Sequence, residues 1–158
     1  MSLNIFNMIT VPVCKDLDAS LSSYFEPELI PDYLCSKCNK TGSSVKITRP
    51  FKWPSILIIQ IQRIEMNSNG SLTKNQAAME FPTTNAFRPF SSNFEYKLKS
   101  VVEHYGGVGS GHYAAYRKAD DDTGNWFECS DISVRRLSSI PAKCKPYLLF
   151  YENHLNNI

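Results

Sequence analysis

Two of the chain's three histidines stand at either end of a glycine-rich stretch. The stretch from Tyr105 to Gly111 carries four glycines in seven residues, with His104 before it and His112 after it. A histidine at the end of a strand, next to flexible glycines, can reach a substrate while its backbone stays anchored. General acid–base catalysis requires this combination. The alternative is that both are polar strand-end residues beside an ordinary hairpin loop.

Cysteine is the other residue type that could do chemistry, and the chain has five. An odd number without regular spacing argues against a disulfide framework and favours a reducing compartment, so we expect an intracellular protein, cytoplasmic or nuclear. Cys35 and Cys38 have the spacing of half a zinc site, whereas a closed tetrahedral site needs four ligands. Cys14, Cys129 and Cys144 lack the helix-N-terminus context that activates a thiol, and we interpret them as structural or incidental.

The elements that must position the histidines are mostly strands. Alternation predicts one strand from Tyr96 to His104 and a return strand from His112 to Lys118, which makes the glycine stretch a hairpin loop. Ile56 to Ile61 is apolar on both faces and is predicted to be a central strand buried on both sides. Further strands are predicted at residues 5–13, 45–48, 126–129, 132–137 and 146–151.

Little helix is expected. A short helix is predicted at residues 18–25, with Asp18 as its N-cap and Pro27 ending it. Asn69-Gly70 is predicted to turn a hairpin, and residues 81–93, with two prolines, are predicted to form a mobile loop. The fold class is therefore α+β, mainly antiparallel β.

Composition limits the function classes. With 158 residues, 42% apolar and 20% charged, the chain is typical of one globular domain. The net charge of +2 gives no electrostatic case for nucleic acid or an anionic membrane as partner. The longest apolar run, Ile56 to Ile59, is too short to span a bilayer, and no secretory signal opens the chain.

Several motifs, in order and in rough spacing, resemble those of the ubiquitin-specific proteases, and together they cover the chain from about Phe6 to Tyr151. They are Leu34-Cys35-Ser36-Lys37-Cys38; Pro54-Ser55-Ile56-Leu57 with Gln62-Arg63; Phe81-Pro82; Tyr96 to Gly106 followed by Gly111-His112-Tyr113-Ala114-Ala115-Tyr116; Trp126-Phe127-Glu128-Cys129-Ser130-Asp131 with Val134; and Tyr147 to Tyr151.

The resemblance implies the C-terminal half of a papain-like catalytic domain, with its palm and fingers but without the helical thumb. Residues 1–158 would be a single partial domain, with a fingers-like part at 5–50 and a palm sheet carrying the histidine box at 51–152. The implied activity is hydrolysis of the isopeptide bond at the C-terminal glycine of ubiquitin by a thiolate. Ubiquitin and ubiquitinated proteins are the implied partners.

His112 is implied to be the general base, and the glycine stretch is implied to border the channel for the ubiquitin tail. Most of the family has Asp or Asn four positions after the tryptophan, where this chain has Ser130. Ser130 is therefore implied to be the third member of the catalytic triad, which orients the imidazole; its hydroxyl can accept the imidazole N–H without supplying a charge. Asp131 would assist or replace it, or else cap a turn, and strand alternation predicts that the two do not touch His112 equally. The implied substrate-binding residues are His104, Tyr105, Gly106, Gly107, Gly111 and Tyr113.

The family's nucleophile lies in a Gly-Asn-Thr-Cys-type box that this chain does not contain. We therefore predict that the isolated chain is inactive and supplies the base but not the nucleophile. Catalysis would need no cofactor. A second Cys-x-x-Cys lies upstream in the family, so structural zinc is implied for an intact parent rather than for Cys35 and Cys38 alone.

Two other readings stay open. The first is a non-catalytic ubiquitin-binding or scaffold module of the same fold. The second is a small zinc-ribbon interaction domain, which depends on one Cys-x-x-Cys. If the chain is half of such a catalytic domain, the missing helical half would leave apolar sheet surface exposed, so we expect the fragment to self-associate.

Overall fold

A computed structural model describes residues 6, 8–84, 86–91, 93–121 and 123–153. It contains eleven strands, one α-helix and one 3-10 helix. In chain order these are β1 (Ile9–Pro12), α1 (Leu17–Tyr24), β2 (Glu28–Leu34), β3 (Thr41–Lys46), β4 (Ile56–Gln62), β5 (Ile64–Met66), β6 (Leu72–Lys74), a 3-10 helix (Pro89–Ser91), β7 (Tyr96–Gly106), β8 (Gly111–Lys118), β9 (Trp126–Ser130), β10 (Ser133–Leu137) and β11 (Pro146–Asn153).

Seven strands form one sheet in the order β1-β4-β11-β7-β8-β9-β10. Every neighbouring pair is antiparallel except β1 and β4, which run parallel. Two further antiparallel pairs, β2–β3 and β5–β6, stand apart from this sheet. The predicted α+β class with mainly antiparallel strands is confirmed.

The core lies on one face of the seven-stranded sheet. Alternate residues of β4, namely Leu57, Ile59 and Ile61, are buried there, and the apolar face of α1 packs into the same cluster through Leu17 and Leu21. Burying these side chains contributes on the order of 1.5–3 kcal/mol each. The core thereby fixes the twist and register of the strands that carry the histidines.

The helix is confirmed, but its predicted cap is wrong. Asp16, rather than Asp18, is the N-cap, and its carboxylate accepts the amide of Ala19 at 2.7 Å. Asp18 lies in the first helical turn, where a carboxylate still interacts favourably with the helix dipole. The helix begins one residue earlier than predicted, at Leu17, and the Leu17 side chain is buried in the core.

The prediction that β4 is central and buried on both sides is also wrong. β4 is second from the edge of the sheet, between β1 and β11. Its core face is buried, while Ile56 on the other face is 44% exposed and Ile58 is half-buried. Within the described residues, the core cluster packs on the opposite face of β4 and does not cover this apolar outer face.

Strand β2 was not predicted from the sequence, and Pro31 lies inside it. The register shifts between Ile30 and Tyr33, and Asp32 adopts a left-handed φ of 56°. A bulge in a two-stranded ribbon tolerates a residue that cannot donate a backbone hydrogen bond. β3 begins earlier than the predicted 45–48 strand, because it extends to pair with β2.

The predicted fingers-like part at 5–50 does not coincide with one sheet. β1 pairs with β4 and α1 packs on the large sheet, so only β2 and β3 of this range stand apart. The strand predicted at 5–13 is four residues long, and Ile5 lies outside the described residues. As a domain boundary, residue 50 stays a prediction.

The hairpin predicted at Asn69-Gly70 is confirmed as β5–β6, with Gly70 at a φ of 80°. Residues 81–93 are irregular apart from the 3-10 helix, as far as they are described. Among the described residues, no helix has the length and apolar character needed to cross a membrane.

Candidate active site

The β7–β8 hairpin brings the two histidines to one end of the sheet. His104 pairs with Tyr113, Tyr105 pairs with His112, and the hairpin closes at the pair Gly106 and Gly111. The loop proper is therefore only residues 107–110, shorter than the predicted stretch. His112 points to the same face as the buried Ala114, because alternate residues of a strand share a face.

His112 contacts Ser130 directly. Its Nε2 lies 2.6 Å from the Ser130 Oγ, at the end of β9, the strand next to β8 in the sheet. Because the residues of β9 alternate, Ser130 faces His112 while Cys129 faces away from it. With Nε2 bound to the hydroxyl, Nδ1 is the ring nitrogen left to take a proton from a nucleophile.

Asp131 approaches the other side of the ring. Its Oδ2 lies 3.9 Å from the His112 Nδ1, beyond hydrogen-bond reach, and its side chain is 80% exposed. The prediction of unequal contact with His112 is confirmed, but the reason given for it is wrong. β9 ends at Ser130, and Asp131 sits in the following turn with a left-handed φ of 49°, so strand alternation does not set its direction.

The His104 ring packs against neighbouring aromatic rings. Its ring lies against Tyr113, with centroids 4.6 Å apart, and near Tyr147 at 5.9 Å. Its Nδ1 is buried without a hydrogen-bond partner among the described residues. Burial lowers the pKa of His104, and the positive charge of Lys74 lowers it further. The ring therefore favours the neutral state.

Gly111 is required by this packing. A Cβ at Gly111 would lie 2.1 Å from the His104 Nε2 and 2.2 Å from the carbonyl oxygen of Tyr105. At Gly106 the φ is 106°, and a Cβ would meet the carbonyl oxygen of Ser110 at 2.7 Å. Gly107, by contrast, has nothing within 4 Å of a Cβ.

Tyr105 is anchored by its hydroxyl. The oxygen donates to Glu103 Oε2 at 2.9 Å and lies 2.7 Å from the Tyr116 hydroxyl. Burial and these hydrogen bonds raise the pKa of Tyr105 well above its ordinary value. Tyr105 as a whole remains 43% exposed, while its hydroxyl is held by these hydrogen bonds. Tyr113 is 54% exposed, and its ring packs against the rings of His104 and Tyr147.

Three residues with hydrogen bonds in or near the β7–β8 hairpin were not assigned a role from the sequence: Arg63, Lys74 and Glu103. Arg63 is 2% exposed and donates to the carbonyls of Pro146, Asn75 and Ala77 at 2.8–3.1 Å. A charged residue inside the apolar β4–β5 stretch was the available signal for Arg63. Glu103 alternates with Val101 on the core face, and that placement could have indicated a buried carboxylate.

Two of the cysteines, Cys35 and Cys144, lie in opposite electrostatic environments. Hydrogen bonds from the amides of Cys38 and Lys37 and from the Cys38 thiol lower the pKa of Cys35. Burial raises the pKa of Cys144, and neighbouring Glu103 adds to the effect. None of the five is in a disulfide.

The turn at Cys35 and Cys38 suits metal-binding thiolates, since backbone amides already favour the charged sulfur. Among the residues that the structure describes, no group of three or more His, Cys, Asp or Glu side chains could hold a metal. The two thiols alone do not complete a zinc site, so no step of a mechanism can be assigned to zinc here.

Comparison with known proteins gives a consistent result. The sequence profile of the family described as "Ubiquitin carboxyl-terminal hydrolase" matches residues 13–151. Ubiquitin carboxyl-terminal hydrolase 8 of Saccharomyces cerevisiae is 34% identical over 154 residues, covering 87% of this chain and 32% of its own length. Human ubiquitin carboxyl-terminal hydrolase 3 is 33% identical over 157 residues, which cover 90% of this chain and 29% of the human protein.

Solved structures agree. The SAGA Ubp8/Sgf11/Sus1/Sgf73 DUB module bound to ubiquitin aldehyde superimposes with a TM-score of 0.71 at 32% identity, covering 94% of this chain and 36% of that chain. The Ubp8-Sgf11-Sgf73-Sus1 SAGA DUB module gives a TM-score of 0.70 at 31% identity, covering 94% and 34%. The chain thus spans about a third of the length of these four relatives.

Proposed function

Because the chain belongs to the ubiquitin carboxyl-terminal hydrolase family, we propose that it serves in thiol-dependent deubiquitination and supplies the general base His112. That membership confirms the resemblance to ubiquitin-specific proteases. The likeness to solved structures shows the fold as a strand-rich fragment of such a catalytic domain, and we propose that it is the palm and fingers portion. The observation that carries the proposal is the 2.6 Å contact between His112 Nε2 and Ser130 Oγ at an exposed end of the sheet.

In the proposed reaction, His112 takes the proton of a cysteine thiol at Nδ1 and later returns it to the leaving amine. Ser130 accepts the Nε2–H, which holds the ring in the tautomer that leaves Nδ1 free. A neutral hydroxyl stabilises the imidazolium less than a carboxylate does. Asp131, 3.9 Å from Nδ1, is placed to add negative charge once the ring is protonated.

The nucleophile is proposed to come from sequence outside these 158 residues. Among the described residues, the polar partners of His112 are Ser130 and Asp131. Cys129 points away from the site, and the raised pKa of Cys144 makes it a poor thiolate. The isolated chain is therefore proposed to be inactive.

The ubiquitin tail is proposed to lie along the glycine hairpin. Gly106, Gly107 and Gly111 expose backbone without side chains, so an extended peptide can approach closely. Tyr113, half exposed beside the His104 ring, offers an apolar surface for the tail. His104 itself is proposed to support this surface rather than to exchange protons with substrate, since its ring is packed and favours the neutral state.

The missing nucleophile also favours a second candidate, a non-catalytic ubiquitin-binding or scaffold module of the same fold. Hydrolysis of a fluorogenic ubiquitin C-terminal substrate separates the two. The samples are the isolated chain and the full-length protein. Activity in the full-length protein alone supports the enzyme. An inert full-length protein that still binds ubiquitin, measured by calorimetry, identifies the module, and activity in the isolated chain would contradict the assignment of its cysteines.

Two properties of the intact protein are proposed with it. Structural zinc would need two ligands from outside this chain to join Cys35 and Cys38, and catalysis would not use it. An intracellular location, cytoplasmic or nuclear, is supported by the five free thiols. Metal analysis of the purified full-length protein tests the first: about one zinc per chain supports it, and its absence refutes it.

We also propose that the isolated chain self-associates. Large apolar side chains are exposed at several places, including Phe51 at 79%, Met66 at 72% and Val134 at 67%. Exposed apolar surface of this kind drives association in water. Gel filtration with light scattering should show oligomers whose fraction rises with concentration, and a monodisperse monomer would refute the proposal.

A further inference from the structure

We propose that Lys74 is a positioning residue that braces the β7–β8 hairpin and thereby fixes His112. The inference rests on the proposed role of His112 for its catalytic consequence. Lys74 ends β6, and its Nζ donates to the carbonyl oxygens of His104 at 2.6 Å and of Gly106 at 2.9 Å. These are the last residues of β7 before the glycine loop.

Lys74 binds the end of β7, where β7 no longer pairs with β11. On one side β7 pairs with β8 as far as Gly106, but on the other side its pairing with β11 ends at Glu103 and Pro146. Carbonyls two residues apart on a strand point to the same side. The carbonyls of His104 and Gly106 therefore face the side where β11 has ended, and one ammonium group satisfies both.

The hairpin needs this support because its end is built from glycine. Gly106 and Gly111 face each other at its closure, and glycine gains more backbone freedom than any other residue when it is released. His112 directly follows Gly111. A small rotation of the closing pair therefore displaces the His112 ring from Ser130, to which it is held by one 2.6 Å contact.

Lys74 is itself held by the core. The buried guanidinium of Arg63 donates to the carbonyls of Asn75, the residue after Lys74, and of Ala77, two positions further on. The Asn75 amide donates back to the Arg63 carbonyl at 2.6 Å. The β5–β6 hairpin thus provides a rigid base for the ammonium, and the order of support runs from Arg63 to Lys74 to the hairpin to His112.

The test compares Lys74→Met, which keeps the length of the side chain but removes its donors, with Lys74→Arg, which keeps charge and donors. Lys97→Met is the matched control, because Lys97 is an exposed lysine on β7, the strand whose end Lys74 is proposed to hold. Amide hydrogen exchange, and kcat and KM for a fluorogenic ubiquitin substrate, are all measured on the full-length protein. Circular dichroism checks that each variant is folded.

Lys74→Met should speed exchange at residues 104–112 by about tenfold for each charge-assisted hydrogen bond lost, with core amides such as Val101 and Leu149 unchanged. In the full-length protein kcat should fall by about 10- to 100-fold, more than KM changes. Lys74→Arg should restore most of both properties, and Lys97→Met should match the wild type.

Unchanged exchange in Lys74→Met overturns the brace, as does faster exchange spread evenly over the core, which would show only lost stability. If exchange rises in the hairpin alone but kcat does not fall, the positioning role is refuted. If the wild-type full-length protein is inert, the proposed function has failed. The exchange data then still decide the brace: a local rise supports it, and no change overturns it.

Discussion

Replacing Gly111 by alanine should destabilise the fold far more than the same change at Gly107, four residues away in the same hairpin. The Cβ at position 111 would lie 2.1 Å from the His104 Nε2 and 2.2 Å from the Tyr105 carbonyl oxygen, both far inside van der Waals contact. The side chain of His104 can turn away. The carbonyl cannot, because it belongs to the backbone of the paired strand.

The expected magnitude follows from these two contacts. Inserting a methyl group into a filled space costs about 1–3 kcal/mol, and a backbone neighbour favours the upper part of that range. At Gly107 a Cβ meets nothing within 4 Å, so alanine there should be neutral or stabilise the fold by up to about 1 kcal/mol through the unfolded state. The two variants should therefore differ by about 2–4 kcal/mol.

Urea denaturation of the chain, followed by circular dichroism, measures this difference. The same changes in the His104→Ala background add a second check. Removing the ring relieves one contact and leaves the Tyr105 carbonyl, so Gly111→Ala should cost less there but should still destabilise. Equal stability of the Gly111→Ala and Gly107→Ala chains would refute the close approach of β7 and β8 on which the placement of His112 depends.

Three further predictions concern charge and thiol chemistry. Arg63→Met should cost about 3–5 kcal/mol in urea denaturation, because it removes the donor from three backbone carbonyls, those of Pro146, Asn75 and Ala77; a cost under about 1 kcal/mol would contradict the role of these hydrogen bonds. Because the fold lowers the pKa of His104, it favours the neutral ring. The stability that the neutral ring contributes is complete above the ordinary histidine pKa of ~6.5 and is lost as the pH falls below that value. The stability of His104→Phe should then drop less than that of the wild type between about pH 7.5 and 5, and equal drops would contradict the assignment. A short pulse of iodoacetamide, followed by mass spectrometry, should label Cys35, whose pKa is lowered, before Cys144, whose pKa is raised, and the reverse order would be a contradiction.

Much of this fold could be predicted from the sequence, because alternation and turn residues act locally. The β7–β8 hairpin, the closing strand β11 and the Asn69-Gly70 turn follow from patterns of ten residues or fewer. β2 could not be predicted in this way. Pro31 argues against a strand, and only the pairing with β3 shows that a bulge accommodates it.

The residues of the site also differ in whether a local sequence pattern could predict them. His112 and Ser130 were predicted through family motifs, and the structure brings them to 2.6 Å although 18 positions separate them in the chain. Lys74 carries no local signal, because its partners lie 30 and 32 positions away and are backbone carbonyls of no particular residue type. The direction of the Asp131 side chain could not be derived from strand alternation, because Asp131 lies in a turn after β9 with a left-handed φ.

The most direct measurement of the central claim compares His112→Gln with His104→Gln in the full-length protein, using a fluorogenic ubiquitin C-terminal substrate. Both changes remove an imidazole from the same hairpin. If His112 is the general base, kcat of His112→Gln should fall by about 100- to 10,000-fold, while His104→Gln should keep kcat within about tenfold of the wild type. Equal losses in the two variants, or full activity in His112→Gln, would contradict the account.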